Sequence, residues 1–343
     1  MTESPRRPPS PTLQDVATAA GVSTATVSRC LNAPDRVVEK TRQKVLRVVR
    51  EMGYAPNFGA QALAAKRTNT IGAIIPTMEN AIFARGLQAF QEELARHGLT
   101  LLVASSSYKP DLEEEQIRTL IARGADALLL IGFDRAQGVY DYLAKRGIPY
   151  VVSWAHRGGD RPLAVGFDNR AAMQMLADRV FALGHEAVAV ITAPVAENDR
   201  ARERVEAVCD AATAVGQDAT AIPIYEVPYS IENGARAMKD LMARTPRPTA
   251  VLCGNDVLAV GALSGARALG LAVPRDVSIT GFDDIELAQI AEPALTTVHV
   301  PHATMGREAA SLIAKLLAGA TGQSVALETQ IVMRNSLAPP KAL

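Results

Sequence analysis

The apolar positions of residues 12–32 (TLQDVATAAGVSTATVSRCLN) predict two short helices joined by a tight turn. Thr12, with Asp15 three residues later, has the spacing of a capping box at the start of the first helix. Small apolar residues then recur at helical spacing and predict a narrow inner face that allows close packing: Val16, Ala17 and Ala20. Gly21 supplies the backbone freedom that the turn needs.

The second helix of this pair presents a compact, hydrogen-bonding outer face. Ser23 is placed to cap it, and Val27 and Leu31 form its predicted buried side. The residues left on the outer face are Thr24, Ala25, Thr26, Ser28, Arg29 and Asn32. Because a guanidinium matches the major-groove edge of guanine, the pattern favours a DNA-binding helix-turn-helix over the alternative, a helical hairpin with a solvated face.

A third amphipathic helix and a short linker follow. Its apolar positions close a small core over the first two helices and end before Gly53: Val45, Val48, Val49 and Met52. Residues 57–68 are too isolated to form a stable helix alone, so they are either a flexible linker or a hinge that orders conditionally. In the second case Leu63, paired with its copy in a dimer, would wedge open a base step in the minor groove.

From Thr70 onward, apolar runs alternate with helical patterns in a regular βα order. Helices are predicted near residues 82–97, 111–123, 136–146, 170–183, 199–215, 230–244, 256–269 and 303–318. This alternation predicts an α/β body of parallel sheets, and its two successive sets predict two lobes like those of periplasmic binding proteins. A small ligand is expected in the cleft between the lobes, at the carboxyl ends of the strands.

The predicted organisation has five parts. They are a disordered tail (1–11), an all-α helix-turn-helix domain (12–56), a hinge (57–68), a two-lobed ligand-binding domain (69–335) and a second tail (336–343). Residues 292–302 are expected to cross back between the lobes before the final helix.

The charge of the chain is unevenly distributed although its net charge is zero. Residues 1–67 contain 11 Lys and Arg against 5 Asp and Glu, whereas residues 68–343 contain 25 against 31. A basic head suits the phosphate backbone of DNA, whereas an acidic body resists lying on it. The polar, proline-rich start lacks the apolar core of a secretory signal, and no apolar run of 18 residues follows, so a cytoplasmic protein without a membrane segment is expected.

Cysteine spacing and catalytic motifs argue against other classes. Cys30, Cys209 and Cys253 are far apart and form no CxxC pair, so neither a disulfide framework nor a metal site is indicated, and all three are expected to be small buried residues. No GxGxxG, phosphate loop, GxSxG or HExxH pattern is present. We therefore predict no catalytic residue and no cofactor, so an enzyme is a remote alternative. A periplasmic solute-binding protein is also a remote alternative, because the chain carries a DNA-binding pattern and its start lacks the features of a secretory signal.

Several motifs in the same order resemble the lactose/galactose repressor family of bacterial transcription regulators over residues 12–335. They are the helix-turn-helix sequence above, GYAPN…QALA, NAIFA, GNDVLAVGAL, VPRDVSITGFDD and PALTTVHVP. The resemblance implies a homodimer, or a larger assembly, that reads a pseudo-palindromic double-stranded DNA operator and sits on the nucleoid when bound. It also implies a small effector in the body that changes operator affinity.

Carried over onto this sequence, the family pattern assigns roles to the recognition helix and the hinge. Thr24, Ala25 and Arg29 are expected to face bases, and Leu63 matches the intercalating leucine. The expected phosphate contacts are Ser23, Thr26, Ser28 and Asn32. The chain departs from the pattern at Gly59, where many members have a larger side chain, so hinge-helix formation is expected to depend more on DNA.

The family pattern also assigns effector-facing residues in the body: Phe83, Arg204, Asn255 and Asp283. The alternatives are a core position for Phe83, a surface position for Arg204 and a helix cap for Asn255. An acid that is common after this strand in the family is replaced around residues 153–155 (SWA), so Trp154 is expected to form an apolar wall of the pocket.

The effector itself is the most open part of the sequence reading. The segments SSYKPDLEEE, LAVGFDN and MENAIFA look most like the gluconate-repressor branch, which favours a sugar acid whose carboxylate pairs with Arg204. A neutral sugar, a phosphorylated metabolite and a protein corepressor remain alternatives, because a guanidinium also donates well to hydroxyls.

Overall fold

The computed structural model describes residues 11–32, 34–55, 67–79, 81–159 and 162–341. The chain separates into two compact units, Met1–Thr68 and Asn69–Leu343. Residues 1–10 of the predicted tail and residues 57–66 of the predicted hinge, with Gly59 and Leu63, lie outside the described residues.

The N-terminal unit contains three α-helices around a small core. They are α1 (Leu13–Ala20), α2 (Thr24–Asn32) and α3 (Glu39–Met52), with a 3₁₀ turn at Pro34–Arg36. The capping box is present, because the Thr12 amide donates to Asp15 Oδ2 at 2.8 Å and the Asp15 amide donates to Thr12 Oγ1 at 3.3 Å. The core consists of Val16, Ala17, Ala20, Val27, Cys30, Val45 and Val48, with Leu31, Val49 and Met52 half-buried beside it.

The first lobe of the second unit (residues 69–166 and 302–326) is built on a six-stranded parallel sheet. Its strands are β1 (Thr70–Ile75), β2 (Thr100–Ser105), β3 (Ala127–Ile131), β4 (Tyr150–Ser153), β5 (Ala164–Gly166) and β11 (Val325–Ala326), in the spatial order β11-β5-β4-β3-β1-β2. Its helices are α4 (Ala81–Arg96), α5 (Pro110–Ala122), α6 (Gln137–Arg146) and α12 (His302–Leu317). The central strands are buried on both faces, as expected of a parallel sheet covered by helices.

The second lobe (residues 167–299 and 330–338) is built on a four-stranded parallel sheet. Its strands are β6 (Val188–Thr192), β7 (Ile224–Glu226), β8 (Ala250–Cys253) and β9 (Ser278–Thr280), in the order β7-β6-β8-β9. Its helices are α7 (Asn169–Ala182), α8 (Asp199–Ala214), α9 (Ile231–Met242), α10 (Asp256–Ala268) and α11 (Glu286–Ile290), with a 3₁₀ turn at Ala219–Ala221.

The final long helix returns the chain to the first lobe, as predicted. Helix α12 packs on α4 at a point where Gly306 lies against the backbone of Gly86. A β-carbon at Gly306 would lie 2.0 Å from the Gly86 carbonyl oxygen, so this close approach requires glycine. The contact places the first turn of α12, with His302, beside the interlobe cleft.

Three features differ from the sequence prediction. A two-stranded antiparallel sheet pairs β10 (Thr297–His299) with β12 (Gln330–Val332). The chain enters the first lobe after β10 and returns to the second lobe before β12, so the two strands run in opposite directions. The tail predicted from residue 336 begins too early, since Ser336 and Leu337 are buried and the Ser336 hydroxyl donates to the Ile279 carbonyl. Cys209 is half-buried rather than buried.

In the described part of the chain, no helix is long and apolar enough to span a membrane.

Candidate DNA-binding surface and effector cleft

Helix α2 presents the polar face that the sequence predicted. Ala25 and Arg29 are exposed, and Thr24, Thr26 and Ser28 are partly exposed, while Val27 is fully buried beneath them. The backbone structure includes Asn32 as the last residue of α2, but its side chain lies outside the described ones.

Ser23 caps α2. Its hydroxyl accepts a hydrogen bond from the Thr26 amide at 3.2 Å and lies 2.9 Å from the Thr26 hydroxyl. The cap fixes the first turn of α2, and Gly21, in the left-handed conformation at φ +59°, fixes the turn before it. The two features give α2 a set orientation against α1, and this geometry can present a helix to a major groove.

Helix α3 adds positive charge to the same unit. Its exposed and half-exposed basic residues are Lys40, Arg42, Lys44, Arg47 and Arg50. Arg42 pairs with Glu39 at 3.4 Å and Arg47 with Glu51 at 3.8 Å, and both pairs are solvent-exposed. Exposed ion pairs of this kind contribute little free energy, so the basic side chains of α3 can leave them to bind phosphates.

The cleft of the second unit is assembled at the carboxyl ends of strands from both lobes. The first lobe contributes the residues that follow β2 and β4, including Tyr108 and Trp154. The second lobe contributes residues that follow β6, β7, β8 and β9, including Asn198, Tyr229, Asn255 and Asp283. Loops at this edge of parallel sheets are the usual position of ligand sites.

A narrow cavity of about 20 Å³ lies at the bottom of this cleft, and we call it the deep pocket. It is lined by Ile82, Phe83, Tyr108, Trp154, Asn198, Arg200, Arg204, Tyr229, Asn255 and Asp283. All five effector residues predicted from the sequence are therefore brought together here, although they lie up to 200 residues apart in the chain.

Arg204 lies at the centre of the deep pocket and is not on a helix surface. It is 6% exposed, and its guanidinium carbon lies 3.7 Å from the centroid of the Phe282 ring. Its Nε and Nη2 donate to Asn169 Oδ1 at 3.0 and 2.8 Å, and its Nη1 donates to the Gly254 carbonyl at 2.6 Å. These bonds hold the plane of the guanidinium in place and use three of its five N–H groups.

Trp154 and Phe83 form an aromatic wall between the deep pocket and the core. Their ring centroids are 5.3 Å apart, and both side chains are 2% exposed. Trp154 has a left-handed backbone at φ +61°, and its indole Nε1 has no hydrogen-bond partner among the described residues. Phe83 is thus both a core residue and a pocket residue, so the two readings of the sequence are compatible.

Asp283 supplies a buried carboxyl group to the deep pocket. It is 1% exposed, has a φ of +105°, and its Oδ1 accepts no hydrogen bond from the described residues. Burial raises the pKa of Asp283 to about 7, and the positive charge of Arg204 partly opposes this rise. The group therefore gives up its proton much less readily than an ordinary aspartate.

His302 lies behind the aromatic wall. Its ring stacks against Trp154 at a centroid distance of 6.3 Å and is 4% exposed. Burial lowers the pKa of His302 to about 3, so the ring is neutral at physiological pH. His302 was not predicted from the sequence, because a histidine at the start of a helix carries no distinguishing signal.

Asn255 caps helix α10, as the alternative reading of the sequence proposed. Its Oδ1 accepts from the Leu258 amide at 2.9 Å. The same residue lines the deep pocket. The cap orients the side chain, so both roles apply to one residue.

Two residues at the start of α8, Asp199 and Arg200, were missed by the sequence prediction. Arg200 is only 9% exposed and lines the deep pocket, and its Nη1 donates to Asp199 Oδ1 at 2.9 Å. Asp199 also accepts from the Phe133 amide of the first lobe at 2.6 Å. Burial alone would raise the pKa of Asp199, but Arg200 and the Phe133 amide hold it below its usual value.

The arrangement of Asp199 and Arg200 depends on the residue opposite them. A β-carbon at Gly132 would lie 1.8 Å from Arg200 Nη1 and 2.4 Å from Asp199 Oδ1. Arg200 and Arg204 are four residues apart and so lie on one face of α8, which is the sequence signal that could have identified Arg200.

A second, wider cavity of about 480 Å³ adjoins the deep pocket, and we call it the outer chamber. It is lined by Thr77, Glu79, Ser107, Tyr108, Ala193, Pro194, Ala196, Glu197, Asn198, Pro228, Tyr229 and Val257. Tyr108, Asn198 and Tyr229 line both cavities and therefore mark the boundary between them.

Hydrogen-bonded ion pairs join the two lobes around the cleft. Arg202 donates to both carboxylate oxygens of Asp134 at 2.8 Å. Arg157 pairs with Glu203 at 2.8 Å and with Asp199 at 3.3 Å, and Arg85 pairs with Glu286 at 2.6 Å. In each pair one partner belongs to the first lobe and the other to the second, so the bonds exist only while the lobes are close together.

The described residues contain no group of three His, Cys, Asp or Glu side chains arranged to hold a metal ion.

Comparison with known proteins gives matches over both units. Residues 12–57 match the model of bacterial regulatory proteins of the lacI family, and residues 177–337 match a periplasmic binding protein-like domain. The chain is 31% identical to the HTH-type transcriptional regulator CelR of Thermobifida fusca, covering 95% of this chain and 98% of that one. It is 30% identical to the HTH-type transcriptional regulator GntR of Escherichia coli K12, covering 92% and 93%.

The solved structures agree with these matches. The lac repressor dimer bound to operator and the anti-inducer ONPF has a TM-score of 0.83 and 26% identity to this chain, covering 95% of this chain and 98% of that one. The predicted α/β fold, with its helix-turn-helix head and two-lobed body, is thereby confirmed. So is the prediction of a regulator rather than an enzyme, because the matched relatives are named as transcriptional regulators. The chain belongs to the LacI family of bacterial regulatory proteins and is a DNA-binding transcriptional regulator.

Proposed function

We propose that this regulator is a repressor of genes for sugar-acid metabolism and that a sugar acid in the interlobe cleft sets its affinity for the operator. The ligand carboxylate binds the free N–H groups of Arg204 in the deep pocket. The sequence identity of this chain is 31% to CelR and 30% to GntR, so identity does not by itself select a branch of the family.

The single observation that carries the proposal is the guanidinium of Arg204. It is buried and fixed by Asn169 and Gly254, while some of its N–H groups remain available in a pocket. A buried cation without a carboxylate hydrogen-bonded to it is costly unless it meets an anion or several hydrogen-bond acceptors. Asp283 lines the same pocket, and burial raises its pKa, so it opposes the charge of Arg204 less than an ordinary aspartate would.

The proposed DNA complex uses two copies of the chain in the cytoplasm, on a pseudo-palindromic double-stranded operator. Thr24, Ala25 and Arg29 face bases. Ser23, Thr26, Ser28 and Asn32 meet phosphates, and Leu63 opens a base step between the two half-sites. The predicted boundaries separate a DNA-binding segment from residue 12, a hinge from residue 57 and an effector-binding body from residue 69. In this proposal, a change in the body alters the distance between the two hinges of the dimer.

A thermal-shift panel of aldonates, neutral sugars and purines tests the effector. We expect a selective rise in melting temperature with an aldonate, since a ligand at about 100 times its Kd adds about 2.7 kcal/mol to the free energy of unfolding. Arg204→Gln should remove this rise. Arg170→Gln, which changes a surface arginine paired with Glu206, should preserve it.

Operator binding by each variant without ligand serves as the check that it is folded. A rise with neutral sugars alone, or an aldonate response that survives Arg204→Gln in a variant that still binds operator, would contradict the sugar-acid proposal.

A further inference from the structure

We infer that Asp284 is a positioning residue for the effector response, because it ties the loop that carries Asp283 to the ends of β10 and β12. We call β10 and β12 the crossing strands, since the chain leaves the second lobe after β10 and returns to it at β12. This inference rests on the proposed function for the place of the effector beside Asp283, but it does not require the effector to be an acid.

The Asp284 carboxylate bonds to one residue at the end of each crossing strand. Its Oδ2 lies 2.9 Å from Nδ1 of His299, the last residue of β10. Its Oδ1 accepts from Nη2 of Arg334 at 2.5 Å, two residues after β12. The side chains of Asp284 and Arg334 are only 10% and 17% exposed, so solvent screens this ion pair less than a surface pair. One side chain therefore holds both the exit of the chain from the second lobe and its return.

Backbone bonds fix the same loop on β10. The Asp283 amide donates to the Val298 carbonyl at 2.9 Å, and Arg334 Nη1 donates to the Leu295 carbonyl at 2.9 Å. Asp283 lines the deep pocket. It is thus joined to β10 by its own backbone and to both crossing strands through Asp284.

The backbone of this loop has an uncommon conformation. Asp283 and Asp284 are consecutive and both left-handed, at φ +105° and +55°. Such angles are uncommon for residues other than glycine, and they persist where the surrounding structure fixes them, often at ligand clamps and switch regions. The bonds of Asp284 supply part of that constraint, so the shape of the effector-facing loop depends on where the crossing strands lie.

A change in the angle between the lobes changes the direction of the crossing strands. A few residues at the ends of elements absorb a movement of this kind, and only Val300 and Pro301 separate His299 from helix α12 of the first lobe. An effector that holds Asp283 therefore restrains, through Asp284, the segment about which the first lobe turns. Without the Asp284 carboxylate, the effector still binds, but the crossing strands move independently of the loop.

Operator titration with the full chain tests this role. The operator is a duplex that the parent chain selects from a random pool, and the ligands are gluconate and galactonate, with glucose as the neutral sugar. The effector response is the ratio of the operator Kd values with and without saturating ligand. Asp284→Asn removes the charge but keeps a residue type that tolerates the left-handed backbone. We expect the response to fall about fivefold, while ligand affinity without DNA and operator affinity without ligand both stay within about twofold.

His299 offers a second pair of variants at a half-exposed position. His299→Ala removes the bond to Asp284 and should lower the response, whereas His299→Asn places an amide near the position of Nδ1 and should restore it. Asp210→Asn, which disrupts a surface pair with Arg170 in the same lobe, should leave the response unchanged. A network that only stabilised the fold would alter melting temperatures and leave the responses of the folded variants equal to that of the parent.

The outcomes separate this inference from the proposed function. Equal responses of Asp284→Asn and the parent would overturn the role of Asp284 and leave the regulator intact. Ligand affinity that falls as much as the response would place Asp284 in the effector site itself and would also overturn it. If Asp284→Asn does not bind operator, the His299 variants decide, and equal responses of the Ala and Asn variants would refute the positioning role. A response of the parent to glucose alone contradicts the sugar acid but keeps this test valid, whereas no response to any of the three ligands removes both proposals.

Discussion

Asp283 combines a buried carboxyl group, a left-handed backbone and an oxygen atom without a partner among the described residues. Each of these features costs stability in a folded chain. Their coincidence at the bottom of a cleft is expected of a residue selected for ligand binding rather than for stability. The sequence identified the residue through its motif, but the raised pKa depends on burial by both lobes, which no local pattern contains.

The titration of Asp283 leads to a stability prediction. Its pKa rises from 3.8 to about 7 on folding, so the stability that its protonated form contributes at low pH is lost as the pH rises through about 7. Asp283→Asn removes this loss. Since one pKa unit corresponds to about 1.4 kcal/mol and the folded-state pKa lies two units above pH 5, the gain in free energy of unfolding from this substitution should be about 2–3 kcal/mol larger at pH 8 than at pH 5.

Urea denaturation of the variant and the parent at the two pH values measures this difference. Asp240→Asn, at an exposed position of α9, is the control and should give the same change at both pH values. An Asp283→Asn effect that is independent of pH would show that the carboxyl group does not titrate in this range.

Three arginines of helix α8 have different contacts although they lie within five residues of each other. Arg200 lines the deep pocket, Arg202 crosses to Asp134, and Arg204 stacks on Phe282. The sequence alone could assign only Arg204, because its motif resembles a family pattern. The role of Arg202 depends on the position of the first lobe, and the room for Arg200 depends on the absence of a side chain at Gly132. Helical spacing predicts which residues share a face but not what the face meets.

Helix α2 carries the prediction for DNA reading. Arg29 is exposed on the proposed recognition face, so Arg29→Ala should weaken binding to the cognate operator by about 1–3 kcal/mol and leave binding to random DNA almost unchanged. Titration of both DNAs at one fixed salt concentration measures the two effects. Arg146→Ala, at an exposed position of α6, is the control. Equal losses on both DNAs would make Arg29 a phosphate contact instead.

At the scale of the whole molecule, the two lobes are joined by ion pairs that encircle the cleft. Asp134 lies on the first lobe and Arg202 on the second, and the two hydrogen bonds between them form only when the lobes are close. If the effector favours this arrangement, each interlobe pair contributes to its affinity by stabilising the binding-competent state.

Asp134→Asn tests this coupling. We expect effector affinity to fall about two- to fivefold, because a partly exposed ion pair contributes about 0.3–1 kcal/mol. Asp210→Asn disrupts a pair with Arg170 within the second lobe and should leave effector affinity unchanged. The measurement is calorimetric titration of the effector found in the thermal-shift panel. Equal affinities for Asp134→Asn and the parent would remove the interlobe pair from the mechanism.

The sequence predicted the order of helices and strands in this body because regular βα alternation is a local pattern. It did not predict the pairing of β10 with β12, because strands of three residues separated by a long helix leave almost no periodic signal. It also did not predict the outer chamber, whose lining comes from several loops of both lobes. The effector residues were found through motifs, whereas the room around them follows from how the lobes pack.

The path of the chain through the lobes has a consequence for its synthesis on the ribosome. The helix-turn-helix core is complete once residue 52 has been made, and it contains only local contacts. The first lobe needs α12 and β11, and the second lobe needs residues 330–338, so neither can finish folding until almost the whole body has emerged. Since chains fold from the N-terminus as they are made, the nascent protein carries a folded DNA-binding head before its body can respond to any effector.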